Sequence, residues 1–329
     1  IYTIYEPVYM TKTEFYNAVR LQAPQTPSQP GKIYLKDNFL FVSERNKGIH
    51  IINNRNPRAP QPVGFINIPG NVDMAMKGGI LYADSRMDLL AIDINDPANS
   101  RVVGRVNNVF PQTQIYPGPW VLSRSIPQPD TSRIIVDWIK REERTVNDCA
   151  ELQTGWIRWG GGWGFALAQS SFAADSRAPG GFSSGAGIGG SMARFAVVND
   201  FLYTVDNTTL RVFDVKDAPK PAFRRETFVQ TGGGVAETIF PYEQSLFFGT
   251  TTGMSIYSIA TPDNPAFVGL NSHFLGCDPV VVQGDYAYVT VKGGTDCRSQ
   301  WPSQLEVVDI SNMQQPRTLK TYPMDDPNG

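Results

Sequence analysis

The residues best placed for chemistry are five charged side chains. Lys32, Asp73, Arg194, Glu237 and Asp278 fall at equivalent or adjacent positions, at the starts of recurrent apolar strands. Paired carboxylates such as Asp73 with Glu237 or Asp278 are the equipment of glycoside hydrolysis, and their separation would decide the stereochemical course. The same ring of charges would equally hold a polar ligand, or simply be solvated and paired. Other catalytic sets fail on context. "GAGIGG", Gly185 to Gly190, fits G-x-G-x-x-G as a string, but it follows a loop and leads into the strand "SMARFAVV". No helix N-terminus stands there to receive a pyrophosphate. The two histidines, His50 and His273, have no cysteine or carboxylate at metal-ligand spacing. We therefore assign no catalytic residue, no metal and no cofactor.

A second candidate is aromatic. Trp156, Trp159 and Trp163 crowd into "GWIRWGGGWGF", although the chain has only six tryptophans. Glycines permit tight folding of such a loop, and rigid aromatic rings offer contact area at little entropic cost. The loop either anchors a partner protein, stacks on sugar rings, or builds its own small core. Trp301 stands in another glycine-containing connection, "KGGTDCRSQWPSQ".

What positions these residues is a repeat. A unit of about 41 residues recurs along the chain. Its clearest part is an apolar strand ending in a small polar residue and a turn: "GIHIINNRNP", "DLLAIDINDP", "TLRVFDVKDAP", "GMSIYSIATP" and "QLEVVDISNM". At the matching position stand Asn53, Asp93, Asp214, Ser258 and Asp309, each able to accept from the backbone of the following turn. A second strand ("GILYADS", "DFLYTVD") and an inner one ("VDMAMK", "MARFAVV") precede it, and a fourth ("RVVGRVN", "AFVGLNS") follows. Four antiparallel strands per unit of this length form a propeller blade. The fold class is all-β: a β-propeller of four-stranded antiparallel blades with one long loop insertion and a short N-terminal helix.

The boundaries expected are an N-terminal strand and helix over 1–30 and a propeller over 31–329. Its repeats are placed at about 31–70, 71–111, 191–234, 235–276 and 277–324, with an insertion at about 112–190. Within the insertion, "SRIIVDWIKREE" reads as an additional or extended outer strand. Thr11 and Glu14 match a capping box, with Pro24 as the stop. Either further blades lie beyond 329, or the strand at Ile1 to Met10 closes the ring with the C-terminal end.

The strands "LLAIDI", "LRVFDV" and "LEVVDI" resemble the LVIVD repeat family, β-propeller proteins found chiefly in exported or cell-surface bacterial proteins. That resemblance implies a propeller in an extracytoplasmic setting and no catalytic residue.

Composition agrees with many short strands and turns: 30 glycines and 25 prolines against 18% charged residues. A net charge of −2 is nothing like the basic footprint that nucleic acid requires. No run approaches the roughly 18 apolar residues of a membrane span, so membrane contact is expected only through an anchor outside these residues. The opening on Ile1, directly in a strand, suggests removal of an upstream segment.

Connections from a fourth strand to the next inner strand, and from a second to a third, emerge on one face of a propeller. The insertion lies there, as do Cys277 and Cys297, which makes a disulfide between them reasonable; the alternative is two buried free thiols, and Cys149 is left over. The expected function is a non-enzymatic extracytoplasmic scaffold that mediates protein–protein interaction in a cell-envelope or outer-membrane assembly through one elaborated face, as a surface lipoprotein. The alternative is a glycan-binding protein or hydrolase using carboxylates at the channel mouth.

Overall fold

The structure is a computed structural model, described over residues 2–110, 133–143, 193–273, 279–292 and 302–325. The chain begins with β1 (Tyr2–Thr11), α1 (Lys12–Ala18) and β2 (Arg20–Gln22). Blade I follows with β3 (Pro30–Lys36), β4 (Phe39–Glu44), β5 (Gly48–Asn53) and β6 (Gln61–Asn67). Blade II has β7 (Met74–Lys77), β8 (Ile80–Ser85), β9 (Asp88–Asp93) and β10 (Arg101–Val106), and then comes β11 (Arg133–Glu143). Blade III contains β12 (Phe195–Val198), β13 (Phe201–Asp206), β14 (Thr209–Asp214) and β15 (Ala222–Phe228). Blade IV contains β16 (Ala236–Tyr242), β17 (Ser245–Thr250), β18 (Gly253–Ser258) and β19 (Ala266–Ser272). Blade V contains β20 (Val280–Gln283), β21 (Tyr286–Val291), β22 (Gln304–Asp309) and β23 (Arg317–Pro323). Each blade is an up-and-down antiparallel sheet in sequence order, and blade I carries β2 as a fifth strand on its β6 edge. This is a β-propeller.

The repeat signature has a physical basis at every copy. Asn53, Asp93, Asp214, Ser258 and Asp309 each accept the backbone N–H two residues on, at 3.0, 3.0, 2.8, 3.3 and 2.9 Å. Burial is not what selects these residues. A short acceptor is needed to hold the turn, so Asp, Asn and Ser interchange there. The fourth strand of every blade also slips register at the same place, opposite the middle of the third strand. Such bulges add twist, which a fanned stack of blades requires.

Apolar residues on both sides of the central strands bind the blades together. Met74, Leu81, Leu90 and Ile92 of blade II pack on Tyr34, Phe41 and Ile51 of blade I. Ala75, Tyr82, Leu89 and Ala91 pack on Phe195, Leu202 and Phe213 of blade III. The same relation joins blades III and IV, and blades IV and V. A strand buried on both faces reads as a continuous apolar run, hence "LLAI".

Three expectations are corrected. The strand "SRIIVDWIKREE" is no outer strand of a blade: β11 pairs antiparallel with β1, from Tyr2 opposite Glu143 to Thr11 opposite Arg133. That pairing also uses β1, so the N-terminal strand does not complete blade V. The ribbon buries Ile134 and Val136 with Phe15 of α1 and Met87 of the β8–β9 turn, and Val8 and Met10 pack on them. The capping box at Thr11 and Glu14 is present, but the helix ends at Ala18, well before Pro24, because Arg20–Gln22 pair with β6.

Candidate functional site at the propeller mouth

The first strands β7, β12, β16 and β20 are successive neighbours around the inside of the arc. At the mouth where these strands begin, the structure unites three of the five expected charges, Lys32, Asp73 and Arg194. Asp73 is 1% exposed and its carboxylate is fully engaged. Oδ2 accepts from Lys32 Nζ at 2.5 Å, from the Phe195 backbone N–H at 3.0 Å and from the Arg194 backbone N–H. Oδ1 accepts from the Met74 N–H at 2.7 Å. Lys32 belongs to blade I, Asp73 opens blade II, and Arg194 and Phe195 open blade III. Asp73 is thus a clasp across three blades, and a carboxylate so saturated has no free oxygen with which to act as acid, base or nucleophile. Burial lowers the Lys32 ammonium, while Asp73 counteracts this.

A second carboxylate supports the first. Asp84 Oδ1 accepts from Val72 N–H at 2.9 Å, Asp73 N–H at 2.8 Å and Asn71 Nδ2 at 2.8 Å. Burial pushes its carboxyl up to about 6, with the Asp73 charge adding to the rise and the two backbone donors opposing it. Because this folded-state value exceeds the usual carboxylate range near 4, Asp84 contributes stability that is complete below about pH 4 and is lost as pH rises through about 6. Asp84→Asn keeps an acceptor for the three donors and removes the titration. Denaturant unfolding at pH 4 and pH 7.5 is expected to show wild type losing about 2–3 kcal/mol, relative to the variant, over that range.

Around the same segment stand two arginines that sequence reading missed. Arg45 lies in the β4–β5 turn, whose neighbour Asn46 donates to Asn71 O at 2.9 Å and accepts from Gly70 N–H at 2.7 Å. Arg86 lies in the β8–β9 turn, at φ 55°, with its side chain laid over Gly70. Arg194 is tied to Asp73 as above. None of these three guanidinium groups forms an ion pair among the described residues, and Arg86 Nε is buried without a hydrogen-bond partner. Burial pulls Arg86 down to about 10 against the opposing charges of Asp137, on β11, and Asp84. Burial and the charge of Arg194 lower Arg45. The signal that was available in sequence is that second-to-third turns share the face of the inner-strand starts, so "SERNKG" and "DSRMD" place Arg45 and Arg86 there.

Glu237 lies half-buried near the start of β16. Asp278, Trp156, Trp159, Trp163, Trp301, Cys277, Cys297 and Cys149 lie outside the described residues. His50 is more constrained than its sequence suggests: the β4–β5 hairpin returns it to Glu44, with Nε2 at 3.1 Å from Oε2 and the ring 4.8 Å from that of Phe65. Glu44 also accepts from Ser28 N–H at 3.1 Å, Ser28 Oγ at 2.5 Å and Gln29 N–H at 2.8 Å. Burial pushes this carboxyl up, but these donors outweigh it and hold it at about 2. The cluster pins the chain ahead of blade I. Among the described residues no three metal-ligating side chains come together, and no helix is long and apolar enough to cross a membrane.

The LVIVD repeat model matches residues 71–108 and 277–323, which are blade II and blade V with their flanks. No curated protein matches the chain. Among solved structures, a protein from Lactobacillus plantarum aligns with a TM-score of 0.51 at 10% identity, over 94% of this chain and 75% of that one. The computationally designed Ika8 protein aligns at 0.42 and 10% identity, over 94% of this chain and 89% of that one. AztD from Citrobacter koseri aligns at 0.41 and 11% identity, over 90% of this chain and 59% of that one. At 10% identity the likeness to the Lactobacillus plantarum protein is one of fold.

Proposed function

Taking the chain as a propeller that carries LVIVD repeats, we propose that it is a non-enzymatic binding scaffold which engages a partner protein through the mouth face. The observation that carries this reading is the grouping of features on that face. The β1–α1–β11 addition packs at the β8–β9 turn, and Arg45, Arg86 and Arg194 gather beside it without ion-pair partners among the described residues. Repeat scaffolds place variation on loops held by rigid strands, where it costs the core nothing. Asp73 was the best candidate for hydrolytic chemistry, and its saturation by Lys32 and three backbone donors argues against that alternative.

The setting we propose is extracytoplasmic, in a bacterial outer-membrane or cell-surface assembly, with the chain held as a lipoprotein by an anchor outside these residues. The partner is another cell-envelope protein, and Cys277–Cys297 is a disulfide suited to that oxidising compartment. We propose that Trp156, Trp159 and Trp163 of the insertion contribute to the same interaction.

The test is a comparison of captures from native envelope extract. Wild type is set beside two folded variants, Trp156/Trp159/Trp163→Ala and Arg45/Arg86/Arg194→Gln. A partner retained by wild type and reduced at least about tenfold by either variant supports the reading, about 1.4 kcal/mol of lost affinity. Equal recovery by all three proteins contradicts it.

A further inference from the structure

Among the described residues, blades II, III and IV are covered on both faces, and blade V is not. In blade V, Val280, Val282, Ala287, Val289 and Val308 are buried against blade IV. The alternate residues point away from it: Val281 is 38% exposed, Tyr286 44% and Tyr322 43%, with Tyr288, Leu305 and Val307 half-buried beside them. Blade I shows the matching defect on the face turned from blade II, where Ile33 is 37% and Leu35 55% exposed. The central strands β17 and β18 of blade IV, by contrast, have almost no exposed position. Contiguous exposed apolar surface of this kind marks an interface.

Two side chains of the repeat say what kind. The hydroxyls of Tyr82 and Tyr203 each reach the next blade, donating to Ala218 O and Pro262 O at 2.8 Å, in the turn after that blade's third strand. Tyr288 occupies the same repeat position in blade V, paired with Val281 and Val307 as Tyr82 is with Ala75 and Ala91. Its hydroxyl has no hydrogen-bond partner among the described residues. Leu319 is the second. It is the bulge residue of β23, and the bulge residues Val103 and Val268 of blades II and IV pack into the core shared with the following blade. Leu319 is 53% exposed instead.

We infer that the far face of blade V is the seat of a further four-stranded blade of the same repeat class, carried by the natural full-length polypeptide. The turn after that blade's third strand presents a backbone carbonyl to the Tyr288 hydroxyl. The surface continues an interface already used between blades I to V, and its apolar residues stand where each earlier blade received its successor.

The test is cysteine labelling of the natural full-length protein, purified as a monomer. Val281→Cys and Leu319→Cys are compared with Phe228→Cys, at an exposed outer-strand position, and Ala287→Cys, at a buried one. Burial under a blade predicts maleimide labelling of V281C and L319C on the order of 100-fold slower than F228C, because access then requires local opening. Labelling as fast as F228C overturns the proposal. So does protection that appears only at concentrations where the protein dimerises, which would assign the face to a second copy. If either cysteine variant fails to fold, Tyr288→Phe is decisive: a lowered thermal midpoint supports the bonded hydroxyl, and an unchanged midpoint overturns it.

Discussion

Asp73→Ala is expected to lower the thermal midpoint by about 10 °C, the largest single effect of any mouth substitution. The variant removes the acceptor shared by Lys32 Nζ and the backbone N–H groups of Met74, Arg194 and Phe195. It leaves the Lys32 ammonium, whose side chain is 12% exposed, without its counter-ion. Breaking one side of such a pair costs about 3–5 kcal/mol, because the remaining charge stays desolvated. A double variant separates the two causes. Asp73→Ala with Lys32→Met removes the stranded charge, so part of the loss is recovered, but the three backbone donors remain without an acceptor and full stability does not return. Differential scanning calorimetry on the three proteins measures both effects. If the single variant melts as wild type does, the clasp does not join the blades.

The second large effect belongs to the outer strand. Gly104→Ala is expected to destabilise by about 3 kcal/mol, in the range for inserting a methyl into packed surroundings. A Cβ at this position would stand 1.9 Å from Pro219 O, in the turn through which blade III leans on blade II. Gly269 is in the same situation, with Met313 O at 2.1 Å. Neither atom is the end of a flexible side chain, so relief requires that the two blades separate. The position is not glycine in every copy. Opposite the equivalent residue of the third strand stand Arg225 in blade III and Lys320 in blade V, and Arg225 Nε donates to Asp263 O of the next blade's turn at 3.2 Å, so the repeat accepts a side chain where it bonds the turn instead of meeting it head-on. Urea unfolding of Gly104→Ala beside Lys320→Ala tests this: the first is expected to shift the midpoint markedly and the second very little.

The sequence made the blades legible because their physics is local. A turn acceptor two residues before its donor, an apolar run and a bulging fourth strand all leave marks within one repeat, and five copies in register reinforce them. The β1–β11 ribbon was misread because its pairing joins residues over a hundred positions apart, and no pattern in either strand names its partner. At the mouth, sequence placed Lys32, Asp73 and Arg194 together through repeat alignment. It could not tell a free carboxylate from one consumed by four donors, because three of those donors are backbone N–H groups and carry no sequence signature. Arg45 and Arg86 were overlooked for a different reason. They sit in the short second-to-third turns of blades I and II, outside the inner-strand starts that the repeat alignment brought into register.

Site-specific photo-crosslinking asks whether the mouth face receives the proposed partner. A photoreactive residue is placed at Arg45, on the mouth, and separately at Asp37, in the β3–β4 turn at the opposite end of the same blade. Illumination of intact cells is expected to yield a discrete adduct with one envelope protein from position 45 and none from position 37. Adducts of equal yield from both positions, or from position 37 alone, would contradict it.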